Sequence, residues 1–253
     1  MKNKFILLAV LLTSLFLNNC NSTKDDPEPT GAGTLEIEFE HIWAMSGQKF
    51  ALNTMLFHPM TSDSLKFTKL QYYVSNIQLK KEDGSWWICP DSYYLIDLSK
   101  PTSLLLNLTD IPAGNYTEMK YIMGVDSTRN VSGAQTGALS TSNAMFWDWN
   151  SGYIMVKAEG ISPNSASKSF TFHLGGFSGV NSIVTPKTTN FNGSILKINS
   201  ELSPVIGISV NPARLWHTSP SVSVVSNLQM PGAKAKVMAI DFYDLVTFDH
   251  LHP

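Results

Sequence analysis

Leu35-Glu36-Ile37-Glu38-Phe39-Glu40-His41-Ile42-Trp43 places an apolar or ring-bearing residue at every second position, with Glu36, Glu38 and Glu40 between them. A period of two marks a half-buried strand, because successive side chains point to opposite faces. The pattern sends His41 and Trp43 inward with Leu35, Ile37 and Phe39, and the glutamates outward. The same reading gives strands at 64–70, 72–80, 92–97, 103–108, 117–125, 153–159, 168–174, 194–198, 205–210 and 221–225. Turn signals such as Asp83-Gly84, Pro112-Ala113-Gly114, Ser162-Pro163-Asn164 and Asn192-Gly193 separate them. Helical periodicity is confined to a turn or two in 140–147 and the stretch 233–245. About ten short strands at this spacing predict an all-β fold, a single antiparallel β-sandwich domain with short helical turns over residues 33–253.

Composition agrees. The chain of 253 residues is 43% hydrophobic and 15% charged, with 18 Lys+Arg against 20 Asp+Glu and a formal net charge of -2. That is enough apolar content for a sizeable core and too much for a disordered chain. Without a basic run or excess positive charge there is no footprint for a phosphate backbone, so nucleic-acid binding is excluded.

Residues 1–19 read as a lipoprotein signal peptide. Lys2 and Lys4 precede an apolar run from Phe5 to Leu17, too short for the roughly 20 residues of a membrane span. Leu17-Asn18-Asn19-Cys20 resembles a lipobox, in which Cys20 becomes the acylated N-terminus. Residues 20–32, rich in polar residues and proline, form a flexible tether. The expectation is an outer-membrane lipoprotein, facing the periplasm or the cell surface and held to the membrane by its lipid. The other cysteine, Cys89, lies in Trp86-Trp87-Ile88-Cys89-Pro90, where a buried inert thiol is expected.

No glycine-rich phosphate loop, His-Glu-x-x-His, Gly-x-Ser-x-Gly or Cys-x-x-Cys occurs, so the chain reads as a non-enzyme. The histidines carry more information. His41 points inward by parity, and Asp249-His250-Leu251-His252 ends the chain with a His-x-His pair. In extended backbone such a pair projects to one side about 6.5 to 7 Å apart and can flank one metal, with Asp249 free to orient a ring. His58 and His217 sit in proline-containing loop contexts and are expected to be dispensable. If sulfur were used instead, Met145 and Met155 beside the aromatic run 146–153 are the expected donors.

Seven segments in order, Glu40-His41, Tyr72 to Leu79, Pro112 to Tyr116, Gly124-Val125-Asp126, Met145 to Tyr153, Phe172-His173-Leu174-Gly175-Gly176 and Asp249 to His252, resemble the MbnP-like copper-binding family, related to MopE. The resemblance implies a β-sandwich holding one copper ion mainly through imidazoles, which here are His41, His173, His250 and His252. It also implies oxidation of a tryptophan to kynurenine by a di-haem peroxidase-like partner. Trp147 or Trp149 matches the aromatic motif, and Trp43, two residues from His41, competes with them. A site of neutral imidazoles without carboxylate favours Cu(I). A second reading, a carbohydrate-binding or adhesive module, uses Trp147, Trp149 and Tyr153 to stack on sugar rings and makes the histidines structural.

Overall fold

The computed structural model describes residues 30–133, 135–148 and 151–253. Residues 1–29, which hold the expected signal peptide, Cys20 and most of the expected tether, and Trp149 lie outside the described residues. Two sheets face each other. The first holds β1 (Ala32–Trp43), β2 (Gln48–Lys49), β7 (Leu105–Pro112), β14 (Val205–Val210) and β16 (Val246–His252). The second holds β3 (Met55–Phe57), β4 (Ser64–Lys81), β5 (Trp86–Ile88), β6 (Tyr93–Asp97), β8 (Gly114–Met123), β9 (Phe146–Asp148), β10 (Gly152–Ile161), β11 (Ser169–Gly175), β12 (Thr185–Asn190), β13 (Leu196–Ile198) and β15 (Asn227–Leu228). Pairing is antiparallel, as expected, except that β1 lies parallel to β14 and β11 parallel to β15.

β1 behaves as its alternation dictates: Leu35, Ile37, Phe39, His41 and Trp43 are buried, while Glu38 and Glu40 are exposed. The core between the sheets is dominated by aromatic rings, with Phe67, Phe170, Phe172 and Trp216 meeting edge to face at 5.1 to 5.9 Å. Such offset ring pairs add to the burial of their large surfaces. Helix α1 is one turn, Ser127–Asn130; α2, Ala233–Asp244, closes the core by setting Phe242 5.4 Å from the Tyr72 ring.

Two sequence expectations need correction. Segments 64–70 and 72–80 are one 18-residue strand, β4, whose pairing with β8 slips between Ser75 and Gln78 around the left-handed Asn76. Gln71, which looked like a break, pairs with Lys157 of β10 and Asp97 of β6, and the bulge falls further along the strand. Segment 140–147 holds the expected helical turn, the 3-10 helix Thr141–Asn143, before β9. Segment 221–225 is a turn and not a strand: buried Asp63 accepts from Ser221 Oγ at 2.8 Å and from the Val222 amide at 3.1 Å, so a side chain takes the bonds a ladder would use. Among the described residues no helix is long and apolar enough to cross a membrane.

Candidate metal centre

The inward face of β1 holds His41, whose Nε2 lies 3.0 Å from the Tyr72 hydroxyl, with the two ring centroids 5.9 Å apart. Burial, opposed by a backbone hydrogen bond at Phe39, pushes the imidazole pKa down to about 4. His41 is therefore a neutral core residue with a hydroxyl partner.

The C-terminal pair lies on the other side of the same sheet. β16 pairs antiparallel with β14, and β14 lies between it and β1, so Glu38, Gly207 and His250 stand in one row. Along β16, Val246 faces the core opposite Val210, and Phe248 is opposite the buried Ile208, 5.6 Å from the Phe191 ring. The register then slips: His250 opposes Gly207, leaving Asp249 as an extra residue. One inserted residue reverses which face every following side chain takes. Leu251 consequently turns toward the core opposite Ile206, and His250 and His252 turn outward.

On that outer face the two imidazoles are 4.4 Å apart between centroids, and His250 Nδ1 is 2.7 Å from Asp249 Oδ2. Ligand atoms of Glu40, Asp249 and His250 all lie within 4.8 Å of one another. The His250 ring occupies the space over Gly207, where a Cβ would stand 2.4 Å from the imidazole. The converging atoms are one imidazole and two carboxylates, with the His252 ring beside them, a mixed nitrogen and oxygen donor set that suits a divalent ion better than Cu(I). The carboxylate-free imidazole site expected from sequence differs from this cluster, which holds Glu40 and Asp249. Glu40 was read from sequence only as a solvent-facing strand residue, and that outward parity is what puts it beside the pair.

His173 is on the outer face of the second sheet. Its Nε2 is 2.8 Å from Glu159 Oε1, and Lys69 Nζ is 3.6 Å from Glu159 Oε2. Burial works to raise the Glu159 carboxyl, but the His173 hydrogen bond and the charges of Lys69, His173 and Lys157 overcome it and hold the group below the usual range. The four histidines named from sequence therefore fall in three places. Only His250 and His252 meet.

His58 is buried, with Nε2 2.9 Å from the Ala213 carbonyl oxygen and Nδ1 accepting from the Thr61 amide at 3.1 Å, so both nitrogens are engaged within the fold. Its ring packs between Trp43 and Trp216 at 5.9 and 6.0 Å. Trp43 is buried and donates Nε1–H to the Phe57 carbonyl at 2.9 Å, whereas Trp147 is half-buried against Gly175. Tyr153 is buried and donates to the Leu139 carbonyl at 2.7 Å, so it offers no face to a sugar. Met145 and Met155 are both fully buried.

The MbnP family model matches residues 32–238, a span that contains β1 and ends before β16. Among solved structures, MbnP from Methylosinus trichosporium shares the fold, with a TM-score of 0.51 at 14% identity over 81% of this chain and 83% of that one. No curated protein matches the chain. A match over that length places the chain in its group: it belongs to the MbnP family.

Proposed function

We propose that this protein is an exported copper-binding protein, anchored through Cys20, whose metal centre is the outer-face cluster of Glu40, Asp249, His250 and His252. Membership of the MbnP family supports the copper reading. The observation that carries the site is the Asp249 bulge, which turns both C-terminal imidazoles onto the face that already holds Glu40. Copper(II) heads the divalent affinity order for imidazole and carboxylate donors, which makes it the ion this set favours. Asp249, bonded to His250 Nδ1, fixes the ring and leaves Nε2 free for the ion. His41 and His173, each satisfied by its own partner, stand outside the centre. This role is binding and not catalysis.

The tryptophan oxidation that the family resemblance implies fits Trp147 better than Trp43, because the Trp43 ring is enclosed by Phe50, His58 and Phe67. A di-haem peroxidase-like partner would supply the oxidant. Copper(II) titration followed by electron paramagnetic resonance tests the centre. The His250→Ala/His252→Ala chain should lose the nitrogen hyperfine pattern, and His41→Phe should keep it. Loss on His41→Phe with retention in the double variant would overturn the assignment.

A further inference from the structure

The methionines divide sharply. Met119, Met123, Met145, Met155 and Met238 are buried, whereas Met45 is 93%, Met55 50% and Met60 63% exposed, with Phe57 at 60%; Met230, at 61%, is exposed outside this group. A single exposed apolar residue is ordinary, but three around one groove, Met45, Met55 and Phe57, are not. Met45 and Met55 line the same groove of about 340 Å³ with Trp43, Gln48, Phe57 and Pro59.

Local structure puts them there. Met55 and Phe57 alternate outward on β3 while Leu56 between them is buried. Met45 sits in the 3-10 turn Ala44–Ser46 that follows β1, and the Trp43 bond to the Phe57 carbonyl ties that turn to β3. β1 enters the fold at Ala32 and ends at Trp43, so the groove lies at the opposite end of that strand from the tether.

The groove's lining contains no carboxylate, imidazole or ammonium group. His58, the nearest imidazole in sequence, has both nitrogens engaged. The oxygen donors in the lining, the Gln48 amide and the Ser46 hydroxyl, are neutral, and Ser46 Oγ already donates to the Trp43 carbonyl at 2.7 Å; the two thioethers are the donors that select soft monovalent ions. We propose that Met45 and Met55 form a soft-metal site that takes Cu(I), separate from the divalent cluster on the outer face. The identity of the physiological ion rests on the copper reading; the preference of the groove for a soft cation does not. Two neutral thioethers leave the ion coordinatively open, which suits transfer to a partner's donor.

Ag(I), a soft monovalent ion without redox chemistry under these conditions, is the probe. It is titrated into the full chain labelled with carbon-13 at the methionine methyls, read by nuclear magnetic resonance. The Met45 and Met55 methyl resonances should shift at lower Ag(I) than those of the exposed Met60 and Met230, while those of the five buried methionines stay. Met45→Leu/Met55→Leu, which keeps the apolar volume and removes both sulfurs, should weaken Ag(I) binding at least about tenfold. The His250→Ala/His252→Ala chain should bind Ag(I) in the groove unchanged, so failure of the divalent site and failure of the groove are read separately. Absence of a shift at both methyls, or unchanged Ag(I) affinity in the leucine variant, overturns the proposal.

Discussion

The His250 imidazole lies across Gly207, so close that a Cβ at that glycine would stand 2.4 Å from the ring. Gly207 is on β14, the strand between Glu40 and the C-terminal pair, and only a residue without a side chain lets the ring lie inward along the sheet surface toward Glu40. Gly207→Ala should therefore leave the fold intact, because the clash is with the movable end of a side chain. It should weaken copper(II) by roughly tenfold, the scale of losses when a ligand is misoriented. Isothermal titration of the variant beside the parent checks this, and equal affinities would show that His250 is not held over Gly207 when the ion binds.

His41 predicts a pH dependence of stability. The fold holds its imidazole neutral with a pKa of about 4, against the ordinary 6.5 of an unfolded chain. The unfolded chain therefore binds the extra proton first as pH falls. The contribution is fully present above 6.5, declines through that window and is lost below about 4. The drop from 6.5 to about 4 corresponds to on the order of 3 kcal/mol. Urea unfolding at a series of pH values should show this acid slope in the parent and a flatter one in His41→Phe. Parallel slopes would mean that another group sets the acid limit.

Cys20 predicts membrane attachment. With a short apolar run ending at that cysteine and a polar tether behind it, Cys20→Ala should move the protein from the membrane fraction to the soluble one. Fractionation of the native host checks this, and unchanged partitioning would remove the anchor.

Much of the fold was legible because β1 obeys one period from Leu35 to Trp43, and the outward glutamates were part of that pattern. Of the candidate cluster, the His-x-His pair and Asp249 were legible; its meeting with Glu40 on the outer face was not, for a reason specific to β16. Val246, Phe248, His250 and His252 share one sequence parity, so an uninterrupted strand would send the histidines inward with His41. The slip at Asp249 depends on pairing with β14, some 40 residues earlier in the chain, and leaves no local mark. The parallel pairing of β1 with β14 is equally invisible to a local reading, since it joins residues about 170 positions apart.

Asp63 predicts how the 219–225 segment is held. Its carboxylate is buried and accepts from Ser221 Oγ at 2.8 Å and the Val222 amide at 3.1 Å, while the Val222 side chain is itself part of the core. Removing the carboxylate leaves a buried N–H without its acceptor, and an unsatisfied group of this kind costs about 1 to 3 kcal/mol. Because Asp63 accepts both bonds, Asp63→Ala should fall at the upper end of that range. Asp63→Asn, which keeps one acceptor oxygen, should lose less. Chemical denaturation should show the order parent, Asn, Ala in midpoint, with copper(II) affinity unchanged because the segment is not part of the cluster on the first sheet. A midpoint for Asp63→Ala equal to the parent's would mean that packing of Val222, and not the carboxylate, fixes the turn where an alternating sequence would otherwise extend.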